Sequence, residues 1–114
     1  MQPVLVKAYG YFKPAGPEHL TRLTAALESC GLRLEDSLSL EGRLLLISYE
    51  GTFFPVEEAA AAFGEFIREA GERAEARLDI LELEEWRLDR YQAAEVELRH
   101  SRSPLNNTLE YSRL

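Results

Sequence analysis

Cysteine is almost missing from this chain: Cys30 is the only one in 114 residues. One thiol excludes an internal disulfide, a thiolate-held iron–sulfur cluster and a cysteine-type zinc site. Cys30 falls on the apolar stripe of a predicted helix, where a free cysteine behaves as a small hydrophobe. Histidine is equally scarce. His19 and His100 are remote from each other, and neither has a second ligand three or four residues away, so no metal site is expected. Glu82, Glu84 and Glu85 could hold a hard cation, but their spacing reads as a solvated strand edge. There is no Gly-x-Ser-x-Gly elbow. Gly10 and Gly16 lack the following Gly-Lys-Ser/Thr of a phosphate loop. No cofactor is therefore expected. No apolar run approaches the roughly 18–20 residues of a membrane span, and the N-terminus reads as a strand rather than a signal peptide. With one unpaired cysteine, the expected setting is cytoplasmic.

Positive charge is the other shortage. Thirteen Lys+Arg stand against twenty Asp+Glu, a net of −7. That disfavours nucleic acid and anionic membrane as partners, since both must be met by cations. The deficit is local. Residues 55–85 hold three arginines against ten acids, whereas residues 86–114 hold five arginines against four acids. Such a run is ordinarily a solvated face; the sharper alternative is that it meets the mildly basic tail, in the same chain or in a partner.

What is present is the pattern of one compact domain. Residues 3–12 are β-branched and aromatic, a strand. Pro14, Gly16 and Pro17 break it. A helix follows from Pro17, with Leu20, Leu23, Leu27 and Cys30 on one stripe and Gly31 as its stop; His19 in its first turn reads as a surface residue. Residues 32–40 alternate by two, with an irregularity at Asp36, and residues 43–49 are apolar in their middle, together a hairpin. Pro55 opens a second helix striped by Val56, Ala59, Ala60, Phe63, Ile67 and Ala70, with Gly71 as its stop. Ala76, Leu78 and Ile80 then alternate as a strand. The phase slips at Leu81 and Leu83, which implies a bulge or a strand buried on both sides. Trp86, Leu88 and Tyr91 read as an extension of that strand.

The order βαββαβ predicts an α+β fold of the ferredoxin-like plait type: a four-stranded antiparallel sheet with both helices on one face, and a C-terminal extension. The expected division is a plait over residues 1–92 and an extension over 93–114, containing an edge strand within 93–99, a short helix from Pro104 to about Ser112, or both.

A plait leaves one sheet face without helices, yet three strands here carry apolar residues on both faces. An exposed apolar patch of that size is unusual in a monomer. The tail or a second copy should cover it, and the reading is a homodimer through the open face with tail involvement. Tyr9, Tyr11 and Tyr49 sit on the two strands that stack bases in RNA-recognition plaits, but the glycine–aromatic pattern is missing and the charge is wrong. They read, with Trp86 and His100, as ligand or interface residues. Asn106 and Asn107, beside Thr108, form the chain's one concentrated neutral polar group, read either as ligand or interface residues or as caps of the tail helix. The loop of residues 13–17 and the turn of residues 51–54 lie at strand ends, where ligands collect.

No catalytic constellation appears. The expected function is a small, non-catalytic binding or regulatory module, homodimeric, with a protein or small-molecule partner. The alternatives are a small dimeric enzyme with a pocket at the sheet interface, using Tyr9, Tyr11, Tyr49 or His100 as acid–base groups, and an interaction scaffold working through its tail.

Overall fold

In the computed structural model, residues 3–34 and 36–105 are described. The elements run β1 (Val6–Lys13), α1 (Pro17–Glu28), β2 (Leu38–Glu41), β3 (Leu44–Gly51), α2 (Val56–Ala70), a short 3-10 turn (Gly71–Arg73), β4 (Glu75–Glu82), β5 (Arg87–Ala94) and β6 (Glu97–Pro104). All strand pairs are antiparallel, in the order β2-β3-β1-β4-β5-β6. The class is α+β, but the expected four-stranded ferredoxin-like plait is overturned: the sheet has six strands.

The difference has a physical origin. No glycine or proline occurs between residues 72 and 103, so the sequence carries no ordinary turn signal there. The chain turns nonetheless, on non-glycine residues in the left-handed region: Trp86 (φ 53°), Glu95 (φ 53°) and Val96 (φ 65°). Leu83 to Trp86 close the β4–β5 hairpin, and Glu95-Val96 close the β5–β6 hairpin. What reads as an extension of the fourth strand is a separate fifth strand. The 92/93 boundary falls inside β5. Pro104 closes β6 rather than opening a helix; the remainder of the expected tail helix, with Asn106 and Asn107, lies outside the described residues.

The core forms where the sequence places its apolar stripes. Val6, Ala8 and Phe12 of β1, Leu45 and Ile47 of β3, and Ala76, Leu78 and Ile80 of β4 face the helices. Leu23 and Leu27 of α1 and Ala59, Phe63, Phe66 and Ile67 of α2 close over them. The rings of Phe12, Phe63 and Phe66 pack 5.2–6.3 Å apart. Gly71 (φ 68°) caps α2 with the positive φ that glycine adopts without strain, whereas α1 stops earlier than Gly31 (φ 86°), at Glu28 with Ser29 as its cap. Between α1 and β2 the alternating stretch is shorter than the pattern predicts. Leu32 and Leu34 are buried in a loop, and only Leu38–Glu41 pair with β3.

The phase slip at Leu81 is resolved without a bulge. The register of β4 runs evenly against both neighbours. Ile80 enters the helix-side core, and Leu81 faces the opposite side with Leu88 and Leu105, flanked by Tyr9 and Leu83. Leu105 therefore returns across the helix-free face, its amide N–H donating to the Trp86 carbonyl at 2.9 Å. No helix among the described residues is long and apolar enough to cross a membrane.

Candidate functional site

The residues singled out from sequence do not converge. Tyr9 and Tyr11 stand on the helix-free face of β1, and Tyr9 donates to Glu50 Oε1 at 3.3 Å. Burial, then the Glu50 carboxylate, pushes the Tyr9 hydroxyl above its ordinary pKa. Tyr49 faces the helices instead. Its hydroxyl donates to the Phe53 carbonyl at 2.6 Å, pinning the turn into α2, and burial raises its pKa against that bond. Trp86 is an exposed hairpin residue. His100 lies on β6, separated from Tyr49 on β3 by three intervening strands, about 19 Å at the usual inter-strand spacing. Within one chain Tyr49 and His100 therefore do not share a site.

His100 has different company. On the helix side of β5 and β6, its Nε2–H donates to Asp89 Oδ1 at 2.7 Å, and its ring stacks on Tyr91 at 4.4 Å. Arg102 Nε donates to the same oxygen at 2.7 Å, and Arg87 Nε to Oδ2 at 3.1 Å. Burial works to raise the Asp89 pKa, but hydrogen bonds from Arg102 and His100 outweigh it and hold the carboxyl below its ordinary value. The opposite face has a matching arrangement. Asp79, 2% exposed, accepts from Arg90 Nε at 2.8 Å and Nη2 at 3.1 Å, with Arg77 Nε at 3.4 Å. Asp79–Arg90 and Asp89–Arg102 clamp neighbouring strands together.

An open cleft lies at the other end of the molecule, beyond the C-terminal end of β1. The loop Lys13-Pro14-Ala15-Gly16 leads into α1 there, tied down by the Ala15 N–H bonded to the Arg43 carbonyl at 2.8 Å. Two lobes meet over Pro14, of about 500 Å³ and about 390 Å³, and Arg43 and Arg73 line both. Leu44 and the Lys13–Glu75 ion pair (2.8 Å) border the first lobe. His19, Glu18 and Glu69 border the second.

His19 corrects its expected surface role. Its ring packs against Phe12 (5.3 Å) and Phe66 (4.9 Å), and Nδ1 accepts the Gly16 N–H at 2.9 Å. That bond uses Nδ1 as the acceptor and leaves Nε2 as the ring's remaining polar atom. Glu69 is held by Arg22, at 2.8 and 2.9 Å, and this bond lowers its pKa. The Arg43 and Arg73 guanidiniums meet no carboxylate within ion-pair distance among the described residues; Arg73 makes only a 3.4 Å contact from Nε to the Ala70 carbonyl.

The loop of residues 13–17 was legible as a strand-end position, but its two arginines were not. They sit 30 residues apart in a β-turn and a 3-10 turn, and nothing in their neighbours' pattern marks them as a pair. Cys30 is half-buried just past the end of α1, its Sγ–H directed to the Ala26 carbonyl at 3.6 Å. Among the described residues there is no cluster of three or more His, Cys, Asp or Glu fit to hold a metal ion. No protein-family model, curated protein or solved structure matches the chain.

Proposed function

We propose that this protein is a small binding module, without catalysis of its own, and that its ligand is a small molecule seated in the cleft beyond β1. One observation carries the reading: two arginines without carboxylate partners line one two-lobed cleft, in a chain where acids outnumber bases. Lobes of this volume suit small ligands, and a few convergent polar groups on a rigid rim are what such sites need. Residues from α1, α2 and the ends of β1, β3 and β4 border the cleft beside the turns that carry Arg43 and Arg73. The test is to screen neutral and charged fragments against the full chain by amide NMR. Shifts clustering on residues 13–19, 43–44 and 69–75 are expected; a screen in which no compound maps there overturns the reading.

A cytoplasmic homodimer joined through the helix-free face is the second reading. It is favoured by Leu44, Leu46 and Tyr11, half-buried apolar residues on that face of β1 and β3. Leu105 supports a covering contribution from the chain itself beside it. Light scattering at high micromolar concentration tests it: a dimer supports the second copy, and a strict monomer removes it.

A further inference from the structure

We infer that the group recognised in the cleft is a multiply charged oxyanion of the phosphate type, carried by a small molecule and gripped between Arg43 and Arg73. This rests on the reading of the cleft as the binding site and names its ligand class. The cleft is lined by three cations, Lys13, Arg43 and Arg73, and three carboxylates, Glu18, Glu69 and Glu75.

Formal charge alone would make it neutral, but two of the carboxylates are already engaged. Glu75 is held by Lys13 at 2.8 Å. Glu69 is held in a two-pronged grip by Arg22. Glu18 folds back over Gly16, close enough that a Cβ there would lie 2.7 Å from its carboxylate, and no lysine or arginine among the described residues holds it, so its single negative charge offsets one of the two guanidiniums and leaves the cleft positive by one. Glu18 thus occupies the anion position at the start of α1 with the protein's own charge. What remains is the guanidinium pair, with that one net positive charge.

Arginine is suited to this role because its planar fork offers parallel N–H donors that match the oxygens of phosphate or carboxylate. A guanidinium on a surface crowded with carboxylates gains by pairing, as Arg22, Arg87, Arg90, Arg99 and Arg102 all do. Arg43 and Arg73 do not; Arg33 and Arg68 make no ion pair among the described residues either, but only Arg43 and Arg73 line both lobes of the cleft. Two of them around one group fit an anion of more than one charge better than a single carboxylate. The net −7 makes a nucleic-acid strand a poor source of that phosphate, because the acidic surface would repel its neighbouring charges. A small molecule places only the charged group at the arginines and its body in the lobes, one floored by Pro14 and Leu44 and the other by His19.

The test titrates the full chain with inorganic pyrophosphate, malonate and chloride at matched ionic strength, read by amide NMR. Saturable shifts on residues 13–19, 43–44 and 69–75 are expected with pyrophosphate, and weaker ones with malonate. R43Q and R73Q should each weaken pyrophosphate binding about tenfold or more, the loss of one charge-assisted contact. R33Q, at an arginine outside the cleft, should leave it unchanged. The spectra of the variants report directly whether each is folded. Absence of saturable shifts with both oxyanions, equal binding by R43Q and R73Q, or an effect reproduced by chloride each overturns the inference. If neutral fragments map to the cleft while oxyanions do not, the ligand class is wrong and the binding site stands. If nothing maps there, the site itself falls.

Discussion

Gly10 shows how little room one residue can leave. It sits among the core-facing positions of β1, and a Cβ built there would lie 2.8 Å from the Arg77 carbonyl oxygen and 3.1 Å from Leu78 Cδ1. Backbone cannot step aside as a flexible side chain can. G10A should destabilise by about 1–3 kcal/mol, the usual cost of overpacking, read from urea unfolding. G16A is the contrast, because the atoms nearest its new methyl belong to the movable Glu18 carboxylate, and its stability should stay close to that of the parent. Tyr49 makes a second residue-scale case. Its hydroxyl bonds a backbone carbonyl at the turn into α2, so Y49F should cost about 1 kcal/mol of stability while pyrophosphate binding in the cleft is unchanged. A loss of binding with stability intact would return Tyr49 to the ligand-contacting role its sequence position suggests.

At the scale of elements, the two helices and the first four strands were legible because each carries period and punctuation together. The stripe Val56, Ala59, Phe63, Ile67 ends at Gly71, and the structure ends α2 there. β5 and β6 were illegible for the converse reason. Arg87–Ala94 alternates Leu88, Arg90 and Gln92 against Asp89, Tyr91 and Ala93, which puts a charge on both faces and hides the period of two. What holds these strands in register is electrostatic. Asp79 of β4 stands directly opposite Arg90 of β5, and Asp89 of β5 directly opposite Arg102 of β6. Each added strand thus hands an arginine to a buried carboxylate on the strand before it. Their turns are poor ones. A two-residue hairpin with both φ positive suits Asn-Gly, and Val96 at φ 65° bears the added penalty of a β-branched side chain. V96G should raise stability by about 1 kcal/mol, since a left-handed residue costs about 1–2 kcal/mol outside glycine and glycine's own entropy returns part of it. A higher thermal midpoint checks this; a lower one would mean that the exposed Val96 side chain makes a stabilising contact.

For the molecule as a whole, the opening charge balance acquires a location. The two most deeply buried charges, Asp79 and Asp89, lie on opposite faces of the sheet and face arginines from the strands beyond them. The acidic segment does meet the basic one within the same chain, through Asp79 with Arg90 and Glu85 with Arg87. This makes the outer half of the sheet sensitive to acid. The folded-state pKa of Asp89 lies below its ordinary value, because hydrogen bonds from Arg102 and His100 outweigh the burial that would raise it. A carboxyl depressed in this way contributes stability that is fully present above the unfolded value near 4 and is lost as pH falls through the folded one. D89N should therefore be less stable than the parent at neutral pH, with Arg87 and Arg102 left facing a neutral amide. Its stability should also fall less steeply as pH drops below about 4, so the two denaturation curves converge in acid. Urea midpoints measured from neutral pH downward decide it. Parallel curves would mean that the clamp on Asp89 contributes nothing to holding β6, and that Leu98 and Leu105, packed on the two faces of the sheet, hold the outer strands by apolar burial alone.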